Sequence, residues 1–426
     1  MEAYLKNKKI GIWGFGAVGK SALSFLSQFD CQVSVTDNQK LDGVQQALIE
    51  GHKAQFVPPE LLPQFLEMND IIIPSPGIDL KPFDLFQKKW LSELDLFTFY
   101  LKKPTIAITG SVGKTTITHV LTHLLNKLGK KALAAGNIGL PLLDAVSQQE
   151  NYDILVLELS SFQLEHSKRF APDIVLITNF YPNHLDHHSD MEQYLWAKGQ
   201  LLRNQRPEQK AIIPMMFMDE FWSFLGHQKI EWLAPDLNID RTKVLYDITC
   251  HQNWQLIIAA LEYLELSTET LQKLCADLPP LPNRIEFVGT HNGVTFYNDS
   301  KSTLSEATLN AVEKFKDKHP LLFLGGLSKG VDRSELIKQL KGKVKHVLCF
   351  GAEAVQLQTD CKLLGIESSN HPTLETAFEH CLNKTKSGDV VLFSPAGSSF
   401  DLFKNYVERG KRFSFLVKQI SKKFLL

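Results

Sequence analysis

The run Ile106-Ala107-Ile108-Thr109 leads directly into Gly110-Ser111-Val112-Gly113-Lys114-Thr115-Thr116, and no other segment constrains the fold as much. The first four residues read as a buried strand, and helix-compatible sequence begins at Lys114. A glycine loop between strand and helix turns successive backbone N–H groups toward one point. The helix N-terminus adds positive potential, so such a loop is built to cradle phosphate. Lys114 is placed to reach the terminal phosphates of a nucleotide, and the Thr115 hydroxyl to meet Mg²⁺. The spacing is the shorter T-G-x-x-G-K-T-T form, with Ile108 where G-x-x-x-x-G-K-[ST] has its first glycine. A surface turn rich in small residues is the competing interpretation. Strand, loop, Lys-Thr and helix agree, which favours phosphate.

A strand–loop–helix unit of this kind belongs to a parallel sheet covered by helices, and the pattern recurs, so the fold class is α/β. Strands are expected at Ile10–Trp13, Val33–Thr36 and Ile71–Pro74, followed by a linker around Lys81–Leu96. Further strands are expected at Thr105–Thr109, Ile154–Leu157, Ile174–Thr178 and Ala211–Pro214. Helices are expected at Lys114–Leu128, Met191–Leu202 and Trp254–Leu264. Three prolines in Asp277-Leu278-Pro279-Pro280-Leu281-Pro282 interrupt any helix and mark a boundary. Beyond it, His291-Asn292-Gly293 signals a hairpin. Strands are then expected at Leu321–Leu324, Val344–Phe350 and Val390–Phe393, and a last helix from Phe400 to Ile420. At roughly 100–200 residues per domain, 426 residues suggest three domains, divided at 1–95, 96–280 and 281–426.

Composition removes several classes. Lys+Arg (46) and Asp+Glu (47) nearly cancel, so no global charge draws the chain to nucleic acid or an anionic membrane. No apolar run approaches the roughly 20 residues that span a bilayer. The N-terminal Met1–Lys6 lacks a signal-peptide core, so a cytoplasmic location is expected. The six cysteines are scattered without a CxxC pair, and are expected to be buried free thiols.

Other polar loops follow expected strands. Gly14-Phe15-Gly16-Ala17-Val18-Gly19, with Asp37 ending the next strand, has the form G-x-G-x-x-G plus an acid. Such a loop holds a dinucleotide, holds another diphosphate, or makes a tight βα turn, and an NAD-dependent oxidoreductase stays open here. Glu158 ends an apolar run and is well placed for Mg²⁺, although a strand-end Glu is often solvated. Asn179–His188 crowds imidazole and carboxylate into one loop, without a usual zinc spacing. Three loops of the last segment, Asn298–Thr303, Gly325–Gly330 and Ser394–Asp401, each follow a strand. They are expected to line one edge of one sheet, with simple helix capping as the alternative for each.

Taken together, the motifs resemble the Mur ligase family over essentially the whole chain and in order. They are T-G-S-V-G-K-T-T, G-N-I-G-L-P at Gly136–Pro141, E-L-S-S-F-Q-L-E at Glu158–Glu165, N-H-L-D at Asn183–Asp186 and L-W-A-K at Leu195–Lys198. L-P-N-R-I-E at Leu281–Glu286, N-D-S-K-S-T, G-G-L-S-K-G and S-P-A-G-S-S-F-D-L-F-K-N-Y continue the series. The last motif and the modest length favour the D-glutamate-adding branch. The resemblance implies a Rossmann-like N-terminal domain for a UDP substrate, a central P-loop ATPase-like domain, and a Rossmann-like C-terminal domain on the amino-acid side. It implies ATP-dependent addition of D-glutamate to UDP-N-acetylmuramoyl-L-alanine through an acyl phosphate, in cell-wall peptidoglycan precursor synthesis that serves cell shape and division. ATP, Mg²⁺ at two sites and small-molecule substrates follow; a monomer without nucleic-acid or membrane partners is expected.

The implied residues match position by position. Lys114, Glu158, His184 and Lys198 are catalytic; Thr115 and Glu158 hold one Mg²⁺, and His184 and Lys198 serve the second, with Lys198 carbamylated. The Gly110–Thr116 loop, Asn253, Arg284 and Asp299 bind ATP. Gly14, Gly16, Gly19, Asp37, Ser75 and Gly77 resemble the UDP pocket, and Asn137, Ser160 and Gln163 the muramoyl-peptide contacts. Lys301, Thr303, Lys329, Ser399 and Tyr406 resemble the D-glutamate side. Two positions depart from the family pattern: Val18 stands where Ser or Thr is usual, and Leu256 stands where an adenine-binding Asn is typical. Without the resemblance, Lys198 reads as a solvated helix lysine. The alternatives are a related ligase of Mur or folylpolyglutamate type adding another amino acid, the oxidoreductase, and a non-catalytic nucleotide-sensing protein.

Overall fold

The computed structural model describes residues 2–235, 248–328 and 330–423. It divides into two compact units. One comprises residues 1–180 and 190–277, the other residues 181–189 and 278–426.

The first unit holds two sheets. Strands β1 (Lys9–Trp13), β2 (Gln32–Thr36), β3 (Gln55–Phe56) and β4 (Ile71–Pro74) form an all-parallel sheet in the order β3-β2-β1-β4. Strands β5 (Thr105–Thr109), β6 (Ala132–Gly136), β7 (Ile154–Glu158), β8 (Ile174–Ile177), β9 (Lys210–Pro214) and β10 (Lys229–Leu233) form a second, ordered β10-β9-β8-β5-β7-β6 and parallel throughout. Every residue of β5 and β7 is buried, as expected for strands covered on both faces. The order reverses at β5, so the loop after β5 opens at a switch point, where ligands of open α/β sheets bind.

The second unit holds one sheet. Strands β11 (Glu286–His291), β12 (Val294–Asn298), β13 (Leu321–Gly325), β14 (His346–Phe350), β15 (Ser368–His371) and β16 (Val390–Phe393) are ordered β11-β12-β16-β13-β14-β15. Only β11 is antiparallel, joined to β12 by the expected Asn-Gly hairpin. Two apolar clusters cover the two faces, one centred on Phe323, Phe393 and Phe413, the other on Leu322, Leu324 and Val347.

Four expectations are corrected. The segment expected as a linker is folded: a 3₁₀ stretch covers Lys81–Lys89 and an α-helix Glu93–Tyr100, started by the Ser92 cap on the Asp95 N–H. The last helix begins at Tyr406, not Phe400. Strands β3, β6, β10 and β15 are additional; β6 is Ala-Leu-Ala-Ala-Gly and β15 is Ser-Ser-Asn-His, with too little branched apolar sequence to read as strands. All six cysteines are free, but Cys250 is exposed and Cys31 half-buried. The boundary between the two compact units falls at Asp277/Leu278, and the first two sheets share one unit; the division at 95/96 stays an expectation. Among the described residues no helix is long and apolar enough to cross a membrane.

Candidate active site

The loop after β5 is held by side chains from just beyond β8. Asn179, beyond β8, accepts from the Ser111 and Val112 N–H groups (3.1 and 2.9 Å), and Thr178 Oγ1 donates to the Val112 carbonyl (2.6 Å). Lys114 opens the helix Lys114–Lys127, and Gly113 takes φ +89° before it. The Lys114 ammonium is half-buried and folds back, donating to Gly110 O (2.7 Å) and Ser111 O (3.2 Å). It does not simply face solvent.

Lys198 overturns the solvated-lysine interpretation. It lies on the helix Met191–Arg203, is 1% exposed, and donates to the same Gly110 carbonyl at 2.9 Å. Its Nζ sits 4.4 Å from the Tyr194 ring centroid, one turn back, and Tyr194 Oη meets Ser111 Oγ at 3.1 Å. Burial first, and the Lys114 charge second, push the Lys198 amine well below the usual lysine range.

Glu158 ends β7 beside β5, paired in register with Ile108, and is 1% exposed. Asn137 donates to its Oε1 at 2.7 Å, which joins two sequence candidates directly. Thr115 is buried in the first turn after the loop. Thr115 hydroxyl and Glu158 carboxylate are hard oxygen donors at neighbouring strand ends, and that donor set fits Mg²⁺. Ser160 and Gln163 form a capping box for the next short helix, so their polarity is partly structural.

The first glycine loop meets the end of β4. Ser75 Oγ donates to Gly14 O at 3.2 Å, and Asp37 accepts from the Phe15 and Gln39 N–H groups. A Cβ on Gly19 would lie 2.1 Å from Gly14 O, so only glycine closes this turn. Gly16 and Gly77 meet no atom within 4 Å of a built Cβ and stay open to a ligand. A small cleft nearby is lined by Pro74, Pro76, Glu93, Phe162, Gln163 and His166. Sequence reasoning missed Glu93. It is 4% exposed, and burial pushes its carboxyl up to about 8, against the backbone hydrogen bonds of Leu142 and Leu143.

Asn253 is buried, donates to Thr249 Oγ1 at 2.6 Å and lies beside Gly113. Leu256 is fully buried in its helix and serves the core.

In the second unit, β12, β16 and β13 are neighbours, so the three expected loops do line one edge. Asp299 ties them. It accepts from Ser302 Oγ (2.5 Å), Ser394 Oγ (2.8 Å) and the Ile285 N–H (3.2 Å). Burial raises its carboxyl to about 6, with those bonds and the Arg284 charge opposing. Lys301 Nζ lies 5.3 Å from the Tyr406 ring centroid, which brings two candidates together. Ser399 is 3% exposed in the loop after β16. Thr303 follows Lys301 in the same loop as Asp299, before the helix Ser305–Lys314. Lys329 lies outside the described residues. His184 belongs to the 181–189 segment grouped with this unit and takes φ +56°, uncommon for a non-glycine residue.

Arg409 and Arg333 were also missed. Arg409 is fully buried and donates to Ser300 Oγ (3.1 Å), Ser300 O (2.8 Å) and Gly397 O (2.9 Å). Its spacing was a usable signal: Arg409, Phe413, Val417 and Ile420 share the buried face of one helix.

The sequence matches the description Mur ligase middle domain over residues 108–236 and Mur ligase, glutamate ligase domain over residues 283–397. It is 33% identical to a UDP-N-acetylmuramoylalanine–D-glutamate ligase of Pseudothermotoga lettingae, over 97% of this chain and 98% of that one. The relative of the same name from Aquifex aeolicus is 33% identical over 96% and 98%. Among solved structures, the UDP-N-acetylmuramate-alanine ligase MurC of Thermotoga maritima is similar at a TM-score of 0.59 with 17% identity, covering 97% of this chain and 100% of that one. MurF of Thermotoga maritima, solved in complex with ADP, reaches 0.59 at 14% identity, with 99% and 97% covered. With these full-length relatives and both domain descriptions in chain order, the chain belongs to the Mur ligase family.

Proposed function

We propose that this chain joins D-glutamate to UDP-N-acetylmuramoyl-L-alanine with ATP hydrolysed to ADP and phosphate. The alanyl carboxylate attacks the γ-phosphorus, and the β–γ bridging oxygen leaves with ADP. The amine of the amino acid then adds to the acyl phosphate carbonyl, and phosphate departs. The observation that carries the phosphoryl step is the convergence of Lys114 and Lys198 on Gly110 O, beside the fixed N–H groups of Ser111 and Val112. The amino-acid identity rests on the names of the full-length relatives.

Lys114 leaves the loop carbonyls for the transferring phosphoryl oxygens, where its charge offsets the negative charge that develops. Asn137 holds Glu158 in orientation. Thr115 and Glu158 would hold one Mg²⁺, and Lys198 would serve a second; bound there, the ion would neutralise phosphate charge. Lys198 does not fit that role as an ammonium, because a cation repels the metal. As a neutral amine it adds to CO₂, loses a proton and becomes a carbamate whose oxygens fit. Its burial and the Lys114 charge both favour the neutral amine that this addition requires. The UDP moiety is assigned to Gly14, Gly16, Asp37, Ser75 and Gly77, the muramoyl peptide to Asn137, Ser160 and Gln163, and the amino acid to Lys301, Thr303, Ser399 and Tyr406.

Phosphate release measured across an amino-acid panel with UDP-N-acetylmuramoyl-L-alanine and ATP tests this. Release that requires both the muramoyl substrate and D-glutamate is expected. Release with a different amino acid overturns the D-glutamate assignment, and NADH binding in competition with the UDP-sugar overturns the role of the first glycine loop.

A further inference from the structure

The loop Gly325–Ser328 after β13 is fastened residue by residue. Arg333 Nη1 donates to Gly325 O at 3.2 Å, and Nη2 to Gly326 O at 3.2 Å. The same Nη2 meets Glu353 Oε2, and Glu353 Oε1 accepts from the Ser328 N–H at 2.9 Å. Leu327 exchanges backbone bonds with Ser398 at 3.0 and 2.8 Å, which docks the loop on the one after β16. A Cβ on Gly326, at φ +71°, would lie 2.1 Å from Ser398 O, so the two loops are in close contact.

Arg333 is 6% exposed, and its guanidinium is desolvated. Removing a cation from water costs several kcal/mol, and one half-exposed carboxylate returns only part of that. A stability role alone would be served better by an apolar side chain of similar size. What the arginine supplies is a planar fork that reaches two successive carbonyls and a carboxylate at once, which an ammonium cannot do.

We infer that Arg333 and Glu353 are a positioning pair that sets the loop after β13 against the loop after β16, and so shapes the amino-acid subsite of this unit. The inference rests on the proposal that this sheet edge receives the amino acid. Neither residue touches the substrate. Their effect passes through the Gly325–Ser328 backbone and Ser398 to its neighbour Ser399.

The test is steady-state kinetics of Arg333→Lys and Glu353→Gln in the full-length protein, each substrate varied in turn, with thermal melting beside it. Arg333→Lys keeps the charge but loses the fork, and Glu353→Gln keeps the acceptor for Ser328 but loses the ion pair. A loop displaced by a fraction of an ångström is expected to raise KM for the amino acid by ~10-fold in Arg333→Lys and less in Glu353→Gln. KM for ATP and for the muramoyl substrate stays within about twofold, since their assigned residues lie on other elements. The inference is overturned if folded Arg333→Lys keeps the wild-type KM for the amino acid, or if all three KM values rise together. A wild-type enzyme inactive with D-glutamate instead overturns the substrate assignment, and the KM comparison is then made with the amino acid that the panel identifies. If Arg333→Lys does not fold, Glu353→Gln, altered at a half-exposed side chain, decides by the same criterion.

Discussion

At the ends of β5 and β7 two lysine side chains meet on one carbonyl; at the ends of β12, β16 and β13 two arginines spread over the carbonyls of three loops. Lys114 and Lys198 both donate to Gly110 O. If both were charged about 5 Å apart, repulsion would be on the order of 3 kcal/mol at an effective dielectric of 20. Arg409 and Arg333, by contrast, are bonded to Ser300, Gly397, Gly325 and Gly326, and Asp299 accepts from three donors. The first arrangement gains by receiving an anion, or by turning one amine into one. The second is already satisfied, and its charges hold backbone in place. Charge is therefore placed differently in the two units: converging on one carbonyl in the first, spread over the carbonyls of three loops in the second.

The largest expected effect comes from removing the reactive charge. Lys114→Ala should lower ATP-dependent product formation by ~10²–10³ or more, the usual consequence of losing a charge-stabilising donor. Circular dichroism should report an intact fold, because the side chain is half-buried and the turn whose Gly110 and Ser111 carbonyls it meets is also held by Asn179 and Thr178. Near-normal turnover in the folded variant would remove the loop from the mechanism and erase the contrast between the units.

Lys198→Ala sharpens the same contrast. A buried alanine leaves the space of a carbamate, so activity should fall by ~10² or more and acetate should restore part of it, by supplying hard oxygens. Rate measured over an acetate series decides. Full activity without acetate would return Lys198 to a packing role, and Lys198→Glu retaining some activity would support the carbamate.

Much of this was legible in the sequence, for definite reasons. Strands β5, β7, β8 and β16 are continuous apolar runs, and the loops after them carry Gly, Lys, Ser and Asp in motif order. Strand β4 and hairpin β11–β12 were equally plain. Strand β15 was hidden because Ser-Ser-Asn-His at a sheet edge gains its structure from pairing with β14, not from propensity. Lys198 was identified only through the family resemblance, since its helix has polar residues on several faces and burial comes from packing. Arg333 carried no signal in the sequence: it precedes an ordinary amphipathic helix, and its partners Gly325, Gly326 and Glu353 lie in two other segments. Glu93 sat in what read as a linker.

The smallest expected effect is a pH dependence of the satisfied region, and its sign distinguishes a finished structure from a reactive one. Burial raises the Asp299 carboxyl to about 6 in the folded protein, while the unfolded chain has an ordinary Asp near ~3.9. A raised folded value means that the native state binds the proton more tightly. The associated stability is fully present below about pH 4 and is lost as pH rises through about 6; two units correspond to about 3 kcal/mol. The three hydrogen bonds to Asp299 and the Arg284 charge oppose this and keep the value from rising further. Asp299→Asn removes the titration while preserving the shape. Urea melts of wild type and variant between pH 4 and 7 should therefore run at different slopes, the wild type losing stability relative to the variant as pH rises. Parallel curves would mean that Asp299 is as well stabilised ionised as protonated, and that its carboxylate is available as a ligand contact without a folding cost.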